Sequence, residues 1–275
     1  MTRTLSGAGI AAGAILSLAA IAVIAGGAKS KPLRTSSSEM AKGRVPVVVE
    51  LFTSEGCSSC PSADQVLADL QKSQPVANAL IIPLSEHVDY WNYIGWADPF
   101  SNASFSERQR NYARALRLES IYTPQMIVNG RTEFVGSDRS RAESAIEQAT
   151  GVAHASVEVK PVSTSEATTS VQVHIDNIPA SGRGDSPEVM LAITEDNLQS
   201  NVRRGENSGR RLAHTAVVRQ LRSIGTAIPG RTFSANTAVT IDRGWKRGDL
   251  NAVVFVQEKS SRKVIGAGIA PLGVQ

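Results

Sequence analysis

Val47-Val48-Val49-Glu50-Leu51-Phe52-Thr53-Ser54-Glu55-Gly56-Cys57-Ser58-Ser59-Cys60-Pro61 joins an apolar run to a cysteine pair through a short turn. The run from Val47 to Phe52 has the length and β-branched content of a strand covered on both faces. Beyond the turn, Ala63, Val66, Leu67 and Leu70 recur at i, i+3, i+4 and i+7. That spacing is one face of a helix, predicted from about Cys57 to Lys72. Ala79 to Leu84 supplies a second apolar strand, so the segment reads as a strand–helix–strand unit with a right-handed crossover.

The chain has two cysteines, and only two residues lie between them, so each is the other's one intramolecular disulfide partner. Three readings compete. A structural staple closing so small a loop restricts the unfolded chain by only about 2 kcal/mol, against roughly 3 for a 15-residue loop. A zinc site wants about four ligands and has no second cysteine pair to draw on, whereas a copper site could use Cys57, Cys60 and a nearby histidine, His87. A redox dithiol is favoured by placement. The unpaired amides and positive dipole end at the start of a helix would stabilise a thiolate on Cys57, with Cys60 one turn in as the resolving thiol. Pro61 falls where a missing N–H costs little.

Outward from this unit, His87 to Phe100 carries Tyr90, Trp91, Tyr93 and Trp96. A helix is predicted from about Ser104 to Leu118, then strands at Gln125–Val128 and Thr132–Val135 around an Asn129-Gly130 turn. A helix over about Arg139–Ala149 follows, with Ser137-Asp138 as its cap. From Ala155 the pattern becomes alternating. Seven strands are predicted, at 156–162, 169–175, 188–194, 213–221, 232–241, 252–258 and 263–269. So many strands in so short a segment suggest a β-sandwich. The expected organisation is therefore 1–28 as signal peptide or membrane anchor, 29–44 as linker, 45–150 as an α/β domain and 155–275 as an all-β domain.

The first segment rests on an uncharged run, Thr4 to Ala28, bounded by Arg3 and by Lys29, Lys31 and Arg34. It is long enough to cross a bilayer, which takes about 20 apolar residues, and it also has small residues placed for signal cleavage. Both readings place the mature protein outside the cytoplasm, periplasmic or anchored in the inner membrane. The net charge of +4 is modest, although Arg203 to Arg222 holds six arginines against one glutamate. One local cluster does not make a nucleic-acid binder, and nucleic acid is not an expected partner. The cluster's turn-rich part, Arg203–Arg211, reads as a solvated loop or as a docking patch for anionic lipid or an acidic partner.

The stretch from Glu50 to Pro61, together with His87-Val88-Asp89-Tyr90-Trp91-Asn92, Gly95-Trp96 and Asp98-Pro99-Phe100, resembles an uncharacterised thioredoxin-like family of exported bacterial proteins. The passage Tyr122-Thr123-Pro124-Gln125 into a strand and an Asn-Gly hairpin is also similar to the thioredoxin fold. The resemblance spans about residues 45–270 and is most specific at the cysteines. It implies a thioredoxin-like α/β domain followed by a sandwich-like β domain. Members of the family have no established activity, so what carries over is chiefly a fold.

Thioredoxin-like mechanics, carried over residue by residue, imply that Cys57 attacks a substrate disulfide and Cys60 resolves the intermediate. Pro124 would be a cis-proline, with Thr123 beside it meeting an extended substrate. Glu50 is a candidate proton acceptor for Cys60, or else a carboxylate at a strand edge facing water. Trp91 is a candidate substrate wall, or else packs against the following helix. His87 would tune the thiolate, ligate copper, or bond to backbone or Asp89. The chain departs from thioredoxins in lacking a Trp before Cys57 and in carrying Ser58-Ser59 between the cysteines, so no redox potential carries over. The expected function is thiol–disulfide exchange with protein thiols or disulfides, and with a membrane-bound redox partner, without a resident cofactor. The rival class is a non-enzymatic copper-handling or binding protein.

Overall fold

A computed structural model of the chain describes residues 43–164, 168–182 and 185–273. The expected signal or anchor at 1–28, and nearly all of the expected linker, lie outside the described residues. Among those described, no helix is long and apolar enough to cross a membrane.

The chain forms β1 (Val45–Thr53), α1 (Cys60–Ser73), β2 (Ala79–His87), α2 (Ala103–Leu116), β3 (Gln125–Val128), β4 (Thr132–Val135) and α3 (Arg139–Thr150). Nine strands follow: β5 (Ala155–Thr164), β6 (Thr168–Asp176), β7 (Glu188–Glu195), β8 (Leu198–Asn201), β9 (Arg211–His214), β10 (Val217–Thr226), β11 (Phe233–Thr240), β12 (Leu250–Gln257) and β13 (Val264–Pro271). Eleven of the strands make one mixed sheet in the order β11-β6-β5-β13-β12-β7-β10-β2-β1-β3-β4, while β8 and β9 pair as a separate ribbon.

This sheet corrects the expected fold class. The described residues are predominantly β, with three α-helices, and they do not form a thioredoxin-like α/β domain followed by a separate β-sandwich. The reason lies in β2, whose nine residues are all buried. One edge of β2 takes β1 in parallel, from Val45↔Ala79 to Thr53↔His87. The other edge takes β10 through the bridge Val217↔Ser85, with Ser85 N donating to Ala216 O at 2.8 Å. Periodicity in a sequence reports which face is apolar, not which strand claims an edge.

Alternation along β1 sorts its residues between two cores. Val47, Val49 and Leu51 pack with Ala63, Val66, Leu67 and Leu70 of α1 and with Ala142 and Ile146 of α3. Val48 lies on the other face, in a core with Phe105 of α2 and Ala192, Val253 and Phe255 of the later strands. A third core joins Val171, Val173 and Ile175 of β6 to Leu191, Ile193 and Val254. The Asn129-Gly130 turn has φ of 45° and 63°, the left-handed pair that a tight hairpin requires. It is also wedged against the β12–β13 end, where a Cβ on Gly130 would stand 1.9 Å from Arg262 O.

Candidate active site

β1 ends at Thr53, and a tight turn leads to α1. Cys57 N donates to Ser54 O and Cys60 N to Cys57 O, both at 3.2 Å. The helix predicted from Cys57 starts instead at Cys60, with Ser59 as its N-cap residue. Cys57 therefore precedes the helix and Cys60 is its first residue. The two are joined in a disulfide with Cα atoms 5.4 Å apart. Pro61 occupies the first turn, where its lack of an N–H leaves nothing unsatisfied. Cys57 is 1 % exposed and Cys60 0 %.

The cover over Cys57 comes from far along the chain. Residues 202–210 form a strap closed at its base by Val202 N to Arg210 O and Gly209 N to Val202 O. At its tip, the buried Asn207 side-chain amide donates to both Glu55 O and Cys57 O at 2.9 Å. Glu206 Oε2 accepts from Ser58 N at 2.9 Å. These bonds from the Ser58 backbone and side chain hold the exposed Glu206 carboxyl below its ordinary range. The basic segment is thus no free loop; it is tied to the cysteine turn itself. Trp91 and Ile94 form a second wall, 3.1 and 3.2 Å from where a side chain on Gly56 would begin.

Beneath the turn lies a buried polar cluster. Asp64, four residues after Cys60 on α1, accepts from Thr53 Oγ1 at 2.8 Å. Glu55 meets His214 Nε2 at 2.9 Å and also accepts from Trp96 Nε1 and Ser200 Oγ. His214 Nδ1 is 3.9 Å from Asp64 Oδ2. His87 Nδ1 lies 2.7 Å from Asp98, whose Oδ2 also accepts from Glu55 N. The His87 and His214 rings meet edge to face with centroids 4.9 Å apart, and Phe100 touches both. Burial raises the Asp64 carboxyl above its usual range. Burial opposes protonation of His87, but the Asp98 carboxylate outweighs it and holds the imidazole above its usual value. Burial likewise pushes Asp98 upward, and His87 with two backbone amides overcomes that and leaves it lowered.

The structure brings some expected site residues together and separates others. Trp91 Nε1 donates to Thr123 Oγ1 at 2.7 Å, so Trp91 and Thr123 are linked beside Gly56 and Cys57. The Thr123–Pro124 bond is cis, and Pro124 lies close to Ala63 of α1 around Gly136. Glu50 is not brought to Cys60. It is buried without facing water, bonded to Arg108 Nε at 2.6 Å and to the Tyr112 hydroxyl, both on α2. The strand's alternation puts Glu50 opposite α1, so its distance from Cys60 follows from the pleat. Cys57 and Cys60 are bonded to each other here, while His87 has Nδ1 on Asp98 and its Nε2 buried without a partner. Among the described residues no group of three or more His, Cys, Asp or Glu is arranged to hold a metal.

The sequence marks none of Glu55, Asp64, Asp98, Asn207 and His214 as a site residue, although Glu55 and Asp98 fall within the stretches that carry the family resemblance. Asp64 carries a further local signal, an acid four residues after Cys60 at the edge of the apolar helix stripe. Glu55 and His214 are 159 positions apart, and no periodicity links them.

A family model described as a protein of unknown function, DUF1223, matches residues 48–257. The chain belongs to this family. Among curated proteins, none matches. A structural-genomics crystal structure from Agrobacterium tumefaciens is similar to this DUF1223 chain at 27% identity and a TM-score of 0.62, covering 84% of this chain and 96% of that one. HBP35 of Porphyromonas gingivalis is similar at 17% identity and a TM-score of 0.61, covering 83% of this chain and 76% of its own. At that identity the second likeness is one of fold alone.

Proposed function

We propose that this chain is an exported thiol–disulfide exchange protein, periplasmic or held at the inner membrane, whose reactive unit is the Cys57–Cys60 pair. The observation that carries the reading is a disulfide between near neighbours in the turn that opens α1. As a staple it would add only about 2 kcal/mol, little for a chain of this size. As a dithiol it would sit at the N-terminus of α1, whose positive dipole end favours a thiolate. An incoming thiolate attacks Cys57 Sγ, the Cys57–Cys60 bond breaks, and Cys60 leaves as a thiolate that takes up a proton. The partners are protein thiols or disulfides, with a membrane-bound protein to reset the pair. The apolar run Thr4–Ala28 supports an oxidising compartment outside the cytoplasm, where a Cys57–Cys60 disulfide would persist.

One observation favours a second reading, an inert scaffold disulfide: Cys57 is only 1 % exposed. Equilibration in dithiol–disulfide buffers separates the two. The exchange reading expects a two-electron transition above about −300 mV, and Cys60→Ser protein that holds a partner as a mixed disulfide. A pair that stays oxidised below that potential, with no mixed disulfide on Cys60→Ser, leaves the scaffold.

A further inference from the structure

The strap over Cys57 and the residue that follows it carry four arginines and one glutamate. Arg203, Arg204, Arg210 and Arg211 are all exposed. Arg210 is spent on Asn207 Oδ1 at 2.7 Å and Arg211 on Gln199, within the strap and its supporting ribbon. Arg203 and Arg204 extend into solvent at the opposite shoulder. The strap's one acid does not neutralise them, since Glu206 is committed to Ser58. The strap therefore brings two features to this face: a carboxylate that occupies a main-chain amide between the cysteines, and a pair of exposed arginines two and three residues before it.

Glu206 is held by an exposed hydrogen bond to the turn that any incoming carboxylate could replace. Asn207 is the deeper anchor, and its two acceptors are backbone carbonyls flanking Gly56. With these bonds in place Cys57 is 1 % exposed. Lifting the strap breaks two hydrogen bonds from Asn207 and one to Glu206, the scale of a local opening and not of global unfolding.

We propose that the strap is the docking surface for an acidic polypeptide that carries the exchanging thiol. Its carboxylates pair with Arg203 and Arg204, one of them replaces Glu206 at the Ser58 amide, and the displaced strap uncovers Cys57. The inference rests on the exchange reading above and names its substrate class. The peptide thiolate attacks Cys57 Sγ, forming a mixed disulfide as the Cys57–Cys60 bond breaks, and Cys60 leaves as a thiolate that is protonated. A second peptide thiol then attacks the mixed disulfide. The products are a peptide disulfide and the reduced pair, so two thiols pass two electrons and two protons to one disulfide.

The test uses the oxidised full chain and two cysteine peptides that differ only in Glu or Gln beside the thiol. Acid quenching and thiol alkylation, read by mass, follow reduction of the pair. The acidic peptide is expected to react roughly tenfold faster at low ionic strength, and the advantage to vanish in high salt. Arg203→Ala/Arg204→Ala should abolish the advantage. Glu206→Gln, an exposed change that leaves the core intact, should speed reduction by the neutral peptide about tenfold because the latch is weakened. Equal rates with both peptides would overturn the acidic partner, as would binding to anionic vesicles without any rate preference between peptides. An unchanged neutral-peptide rate in Glu206→Gln and in Asn207→Ala would overturn the latch. If neither peptide reduces the pair in any variant, yet a small dithiol does so once the chain is denatured, the exchange reading itself fails.

Discussion

Glu50 and Arg108 show how much one buried charge depends on its company. Arg108 touches Glu50 at 2.6 Å and Glu86 at 3.3 Å, bonds Gln257, and lies over the Tyr112 and Phe255 rings. Burial drives the Glu86 carboxyl well above its usual range, so it is the reserve acid of the cluster. Glu50→Gln is expected to cost about 3 kcal/mol in urea unfolding, the low end for a broken buried pair, because Glu86 can ionise in its place. The rate at which the disulfide is reduced should not change; a slowed rate at unaltered stability would return Glu50 to the chemistry. The His87–Asp98 pair has its own pH signature. Asp98 is lowered, so its contribution is present above the ordinary 3.8 and is lost as pH falls through its folded value. His87 is raised, so its contribution is complete below the ordinary 6.5 and is lost as pH rises through its folded value. Stability measured from pH 5 to 9 should therefore fall on the alkaline side in the wild type and flatten in Asp98→Asn; parallel profiles would remove the pair from the account. Among these residues the sequence made Glu50 and His87 conspicuous without naming their partners, because a charge in an apolar strand shows that it needs a partner but not on which face.

The elements were legible in proportion to how local their determinants are. β3 and β4 fall at Gln125–Val128 and Thr132–Val135, as the Asn-Gly turn between them predicts. Asp138 caps α3 by accepting from Arg141 N at 2.9 Å. The start of α1 is three residues later than the apolar stripe suggests, because the disulfide turn spends the Cys57 carbonyl on Cys60. The predicted strand 213–221 is two strands, β9 and β10, since the alternation runs unbroken across Ala216, where φ is +48°. β8, Leu-Gln-Ser-Asn, has too polar a sequence to announce a strand. The turn between β3 and β4 is the place where element and tertiary fold meet. Gly130→Ala combines a left-handed backbone with a Cβ driven into Arg262 O, and is expected to cost more than about 1 kcal/mol. An urea midpoint equal to the wild type would mean the β13 end of the sheet yields freely.

At the scale of the whole molecule, the later strands complete the earlier ones. Leu80, Ile82, Leu84 and Phe105 share a core with Ala192, Val218, Val253 and Phe255. A fragment of residues 45–150 is therefore expected to lack near-UV circular dichroism and a cooperative melt; a fragment with both would show that β2 tolerates an empty edge. This joining was not readable from the chain, because strand pairing across such separations depends on edges and covers that no local pattern encodes. It also sets a timetable for biosynthesis. Glu55 waits 159 positions for His214, and Arg108 waits 149 for Gln257. A ribosome adding roughly 5–20 residues per second delivers those partners about 7–32 s late. A nascent chain thus spends that interval without its last strands, and the core they share with β2 stays open until they emerge.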